Sequence, residues 1–81
     1  MLEAKYEIVE QDGERRDEIL SYMMFKHLMQ GVAYFCLVEG RKPMSPSEMT
    51  EFCRLKDPAY TEKFNQAVAE LVEKGFLREV T

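Results

Sequence analysis

The chain has 81 residues, 46% of them hydrophobic and 32% charged, with a net charge of −4. That balance excludes a disordered polar chain and is too short for more than one core, so a single domain over residues 1–81 is expected; a chain of this size buries only about 60% of its unfolded surface. The acid excess is even along the chain, with six basic and eight acidic groups in residues 1–44 and five and seven in 45–81, so neither half is a basic arm.

In chain order, Lys5 to Glu10 alternates as a strand does, with Tyr6 and Ile8 on one face, and Gln11-Asp12-Gly13 breaks it. A helix is expected from Asp12 or Gly13 to about Val38, with Glu14, Asp17 and Glu18 early in it, where the helix dipole favours negative charge. From Ile19 to Val38, 15 of 20 residues are apolar. Lys26, His27 and Gln30 in the middle of that run exclude a membrane span, since a central Lys alone costs about 2.5 to 3.5 kcal/mol on insertion. Projected on one helix, Phe25, Leu28, Met29, Val32, Phe35 and Cys36 form a wide face suited to covering the C-terminal helices. Leu20, Met23, Tyr34, Leu37 and Val38 lie towards the other side, and a rod apolar nearly all round needs burial twice. A homodimer through Leu20, Met23, Tyr34, Leu37 and Val38 is therefore expected.

Gly40 to Pro43 reads as a loop with room for one or two paired residues before the next helix. Ser45-Pro46-Ser47-Glu48 carries the signals of a helix start: a hydroxyl acceptor, proline at the first helical position and the S-x-x-E capping box, with Met44 and Met49 spaced as a hydrophobic staple. The expected helix runs from Pro46 to Arg54 and buries Met49, Phe52 and Cys53. Asp57-Pro58 repeats the device for a helix to Lys74, with Phe64, Ala67, Val68, Leu71 and Val72 inward and Glu62, Lys63, Gln66, Glu70 and Glu73 outward. Gly75 supplies the positive φ of a helix stop, Phe76 sits where a Schellman motif presses it against Leu71, and Phe76 to Val80 reads as a strand. Lacking a hairpin partner next to it in sequence, this strand is expected to pair with Lys5 to Glu10, so the fold class is mainly α with a small β-sheet.

Catalytic and metal chemistry find no support in the residue pattern. His27 is the one histidine, its helical neighbours at i±4 are Met23 and Gly31, and no C-x-x-C pair or glycine-rich phosphate loop occurs. Cys36 and Cys53 read as small apolar residues on buried helix faces rather than as a disulfide or ligand pair. No enzyme, cofactor or metal is expected. With no apolar leader in residues 1–18, a cytoplasmic location is expected.

Two stretches, Ser45-Pro46-Ser47-Glu48-Met49-Thr50-Glu51-Phe52 and Val68-Ala69-Glu70-Leu71-Val72-Glu73-Lys74-Gly75-Phe76-Leu77, resemble the winged helix-turn-helix superfamily. The second is similar to the end of a recognition helix running into the wing in MarR-like regulators. The resemblance covers roughly the C-terminal 40 residues, and in this chain the N-terminal strand would replace part of the wing hairpin. It implies a small DNA-binding transcriptional regulator, with Tyr60, Thr61, Lys63 and Gln66 at the groove and Arg54 and Lys56 available to phosphates. The charge argues the other way: residues 41–63 hold five basic and four acidic groups, and Glu62 lies on the same exposed face. An acidic winged-helix module that binds protein and no DNA therefore stands as the alternative.

Overall fold

The computed structural model describes residues 3–10 and 12–80, with the side chains of Arg16, Leu20, Met24 and Phe25 left undescribed. Six elements follow one another: β1 (Lys5–Ile8), α1 (Gly13–Lys26), α2 (Leu28–Gly40), α3 (Pro46–Phe52), α4 (Ala59–Glu73) and β2 (Leu77–Val80). The architecture is mainly helical with a small antiparallel sheet, and the expected pairing of the two ends of the chain is present. Lys5 stands opposite Val80, Tyr6 opposite Glu79, Glu7 opposite Arg78 and Ile8 opposite Leu77. Val9 N–H extends the ladder to the Phe76 carbonyl at 3.0 Å.

β1 is bonded on its other edge as well. Tyr6 N–H donates to the Met44 carbonyl at 2.9 Å and Met44 N–H returns a bond to the Tyr6 carbonyl at 3.1 Å. That reciprocal pair fixes where the intervening helices must go. An unbroken helix over residues 13–40 would be about 42 Å long at 1.5 Å per residue. From Tyr6 to Gly13 and from Gly40 to Met44 the chain spans at most roughly 25 and 14 Å. A straight rod could bring Tyr6 and Met44 together only with both connections almost fully stretched, and the expected single helix is instead broken at His27 (φ −137°, ψ 73°) into α1 and α2. The hydrogen bonds on either side survive the bend: His27 N–H reaches the Met23 carbonyl and Gly31 N–H the His27 carbonyl, each at 3.0 Å.

The bend also changes which face of each helix is inside. Ile19 and Met23 from α1 and Gln30, Ala33, Tyr34, Cys36 and Leu37 from α2 enter the core, where they meet Met44, Met49, Phe64, Ala67, Val68, Leu71 and Leu77. Met23, Tyr34 and Leu37, expected at a dimer interface, are thus core residues of one chain. Leu20's side chain lies outside the described set, and Val38 alone of that group is exposed. Conversely, Leu28 (69% exposed) and Phe35 (54%) were expected inside and face solvent.

α3 and α4 follow their local signals closely. The capping box is complete: Ser45 Oγ accepts from Glu48 N–H and Ser45 N–H donates to the Glu48 carboxylate, both at 3.2 Å. α3 stops at Phe52, two residues short of expectation, in a Schellman motif whose Leu55 N–H bonds the Thr50 carbonyl and whose Arg54 takes φ 57°. Thr50 rather than Phe52 completes its buried face with Met49. α4 buries Phe64, Ala67, Val68 and Leu71 as expected, while Val72 is on the rim of the core and exposed. It ends in the same motif: Phe76 N–H bonds the Leu71 carbonyl at 2.9 Å and Gly75 N–H the Val72 carbonyl at 3.0 Å, with Gly75 at φ 83°. At Gly40 the close neighbour is a side chain, because a Cβ there would overlap the terminal methyl of the buried Met44 unless that methyl shifted.

At Gly75 the backbone conformation, not crowding, sets the cost of a side chain, since a Cβ would meet nothing within 4 Å. Gly75→Ala is expected to destabilise the fold by about 1 kcal/mol or more, measured by urea denaturation.

Candidate nucleic-acid interface

α3, the turn through Cys53 to Pro58, and α4 present the surface on which the sequence-derived DNA residues fall. The turn is shaped by its own side chains: Asp57 Oδ1 accepts Ala59 N–H at 2.9 Å, and Tyr60 N–H bonds the Asp57 carbonyl at 3.1 Å. Across the turn, the buried Thr50 hydroxyl donates to the Pro46 carbonyl at 2.9 Å and contacts the Thr61 hydroxyl at 3.2 Å. Thr61 is half-buried, and its hydroxyl ties α4 to α3.

The other five residues stand at or near the surface. Arg54, Lys56, Lys63 and Gln66 are exposed, Tyr60 is half-buried, and the Lys63 ammonium lies 5.0 Å from the Tyr60 ring centroid. The two ion pairs among the described residues, Lys5 with Glu48 and Arg78 with Glu7, leave Arg54, Lys56 and Lys63 without a carboxylate partner. Asn65, not anticipated as a contact residue, is also exposed beside Gln66. Its signal is the helical period: 62, 66, 69 and 73 lie opposite the core positions 64, 67, 68 and 71, and 65 lies on the flank between them. The same face carries Glu62 and Glu73. Glu70 is turned aside, accepting the side-chain amide N–H of buried Gln30.

The first turn of α3 is held from two directions. Lys5 Nζ sits 3.2 Å from Glu48, and Glu3 accepts the Ser47 hydroxyl at 2.8 Å. The Ser45 backbone N–H, with Lys5, holds the Glu48 carboxyl below the usual carboxylate range, and the Ser47 hydroxyl does the same for Glu3. His27, at the α1–α2 bend, shares a 2.9 Å hydrogen bond with the Tyr22 hydroxyl. Among the described residues no cluster of three or more His, Cys, Asp or Glu side chains is placed to hold a metal, and no helix is long and apolar enough to cross a membrane. Compared with known proteins, the chain matches no family model, no curated protein and no solved structure.

Lowered folded-state values mean that the folded chain binds these protons less tightly than the unfolded one. The stabilisation from Glu48 is thus complete above the ordinary glutamate range and is lost as pH falls through the lowered value. Glu48→Gln, which can still cap the helix, should melt below wild type at pH 7, with the difference shrinking towards pH 3 in thermal melts followed by circular dichroism.

Proposed function

We propose that the chain is a small DNA-binding regulator built on a winged helix-turn-helix-like scaffold, with α4 as the helix that enters the major groove. The observation that carries this reading is the group of exposed basic and amide side chains at one end of the helical pair, without a carboxylate partner among the described residues: Arg54 and Lys56 on the turn, and Lys63, Asn65 and Gln66 on the first half of α4. Lysine and arginine there suit phosphates, and asparagine and glutamine suit the N6 and N7 edge of adenine. The sheet supports the same scaffold, because β1 lies between Met44 and β2, the place a returning wing strand takes. Glu62 opposes binding, so affinity should be modest and strongly salt-dependent.

With Arg54, Lys56 and Lys63 on phosphates, log K should fall with log salt at a slope of about −3 per protomer. In a mobility shift at low salt, Lys63→Glu should abolish the complex with the circular dichroism spectrum unchanged. Glu62→Gln should tighten it, and Gln66→Ala should cost about 1 to 3 kcal/mol at one base position. Absence of any complex at low salt from a folded chain would defeat the DNA reading.

A second reading, a protein-interaction module without DNA binding, is favoured by a different feature. Leu28 and Phe35 fall within about 20° of each other on the outer side of α2, with half-buried Val32 between them and the core. Val38 and Phe52, each 44% exposed, extend that apolar surface towards the end of the helix, where Phe52 lies beside Gly40. We propose that the protein partner on this stripe is a second copy of the chain, packed about a two-fold axis. Phe35→Glu should then convert a dimer to a monomer in sedimentation without loss of helicity, and a wild type that sediments as a monomer would remove the dimer.

A further inference from the structure

Outside the surface just described, the core holds a pair of nucleophilic groups that neither functional reading uses. Cys36 lies on the inner side of α2 and is fully buried; Cys53 follows the last residue of α3 and is half-buried. Their sulfurs are 3.3 Å apart and both are free thiols. A disulfide requires about 2.05 Å, so closing the bond needs each sulfur to move only about 0.6 Å. The two residues are 17 positions apart in sequence and come from different helices, so this contact is made by the tertiary fold and is absent from the unfolded chain.

We infer that Cys36 and Cys53 form an oxidation site, a thiol pair that a peroxide converts to an intramolecular disulfide clasping α2 to the end of α3. Their unequal exposure assigns the two roles. Cys53, the more exposed of the two, attacks the peroxide as its thiolate; the O–O bond breaks, hydroxide leaves, and Cys53 becomes a sulfenic acid. Cys36 then attacks the Cys53 sulfur, its proton going to the departing hydroxide, so the S–O bond breaks and water leaves. Two thiols and one hydrogen peroxide give one disulfide and two waters, with two electrons passing from sulfur to oxygen. Burial pushes the Cys36 thiol up to about 12, which disfavours it as the group that meets peroxide, while the 3.3 Å contact with Cys53 places it for the second step. A bound soft cation is the less suitable occupant, because it needs two thiolates where burial disfavours charge, whereas the disulfide is neutral.

The bond would secure the C-terminal end of α3 immediately before Arg54, where the turn into α4 begins. The proposal does not depend on what α4 binds. It is tested on the folded wild-type chain treated with hydrogen peroxide, then alkylated under denaturing conditions and weighed intact. The expected result is a monomeric chain about 2 Da lighter that takes up no alkylating reagent, with both thiols restored by dithiothreitol. In Cys36→Ala, Cys53 should stop at a sulfenic acid that dimedone traps; in Cys53→Ser, Cys36 should stay reduced. A wild type that keeps two alkylatable thiols overturns the proposal. So does one that gains oxygen on Cys53 alone, or one that forms mainly intermolecular disulfides.

Discussion

The reciprocal hydrogen bonds between Tyr6 and Met44 are the constraint from which most of the remaining architecture follows. They make β1 an interior strand, with Met44 on one edge and β2 on the other, although it comes from the extreme N-terminal part of the chain. Most of the residues between Tyr6 and Met44 are helical, and a bend in that helical stretch lets the two partners meet without stretching the connections. The break at His27 is the place where it does so. Once bent, α1 and α2 deliver Ile19, Met23, Ala33, Tyr34 and Leu37 to the core that α3 and α4 line from the other side.

This has a consequence for the exterior. A helix with apolar residues on every side can be buried on either, and the bend chose one. Leu28 and Phe35 were left outside, so the apolar surface available to a partner runs along α2's outer face. The surface proposed for nucleic acid lies on the turn before α4 and its first half. The described residues therefore carry two surfaces of different chemistry, one apolar and one with exposed basic and amide groups, and the thiol pair sits where α2 meets the end of α3.

Much of the C-terminal half was legible in the amino-acid order because its signals are local. Ser45 to Glu48 form a capping box within four consecutive residues, Gly75 stops a helix by its own backbone freedom, and Phe64, Ala67, Val68 and Leu71 repeat at helical spacing against a polar opposite face. Asn65 was overlooked although the same period exposes it. Thr61 was read as a contact residue because no local rule reveals that its hydroxyl meets Thr50, 11 residues earlier and on another helix.

The order of residues by itself determined the start of α3, the stop of α4 and the two end strands, since caps, glycine turns and period-two alternation each act over a few bonds. Only the tertiary structure decided the break at His27, the inward face of α2 and the meeting of Cys36 with Cys53. Each of those depends on distances between residues far apart in the chain, and in a stretch apolar on all sides no periodicity records which side the rest of the molecule will cover.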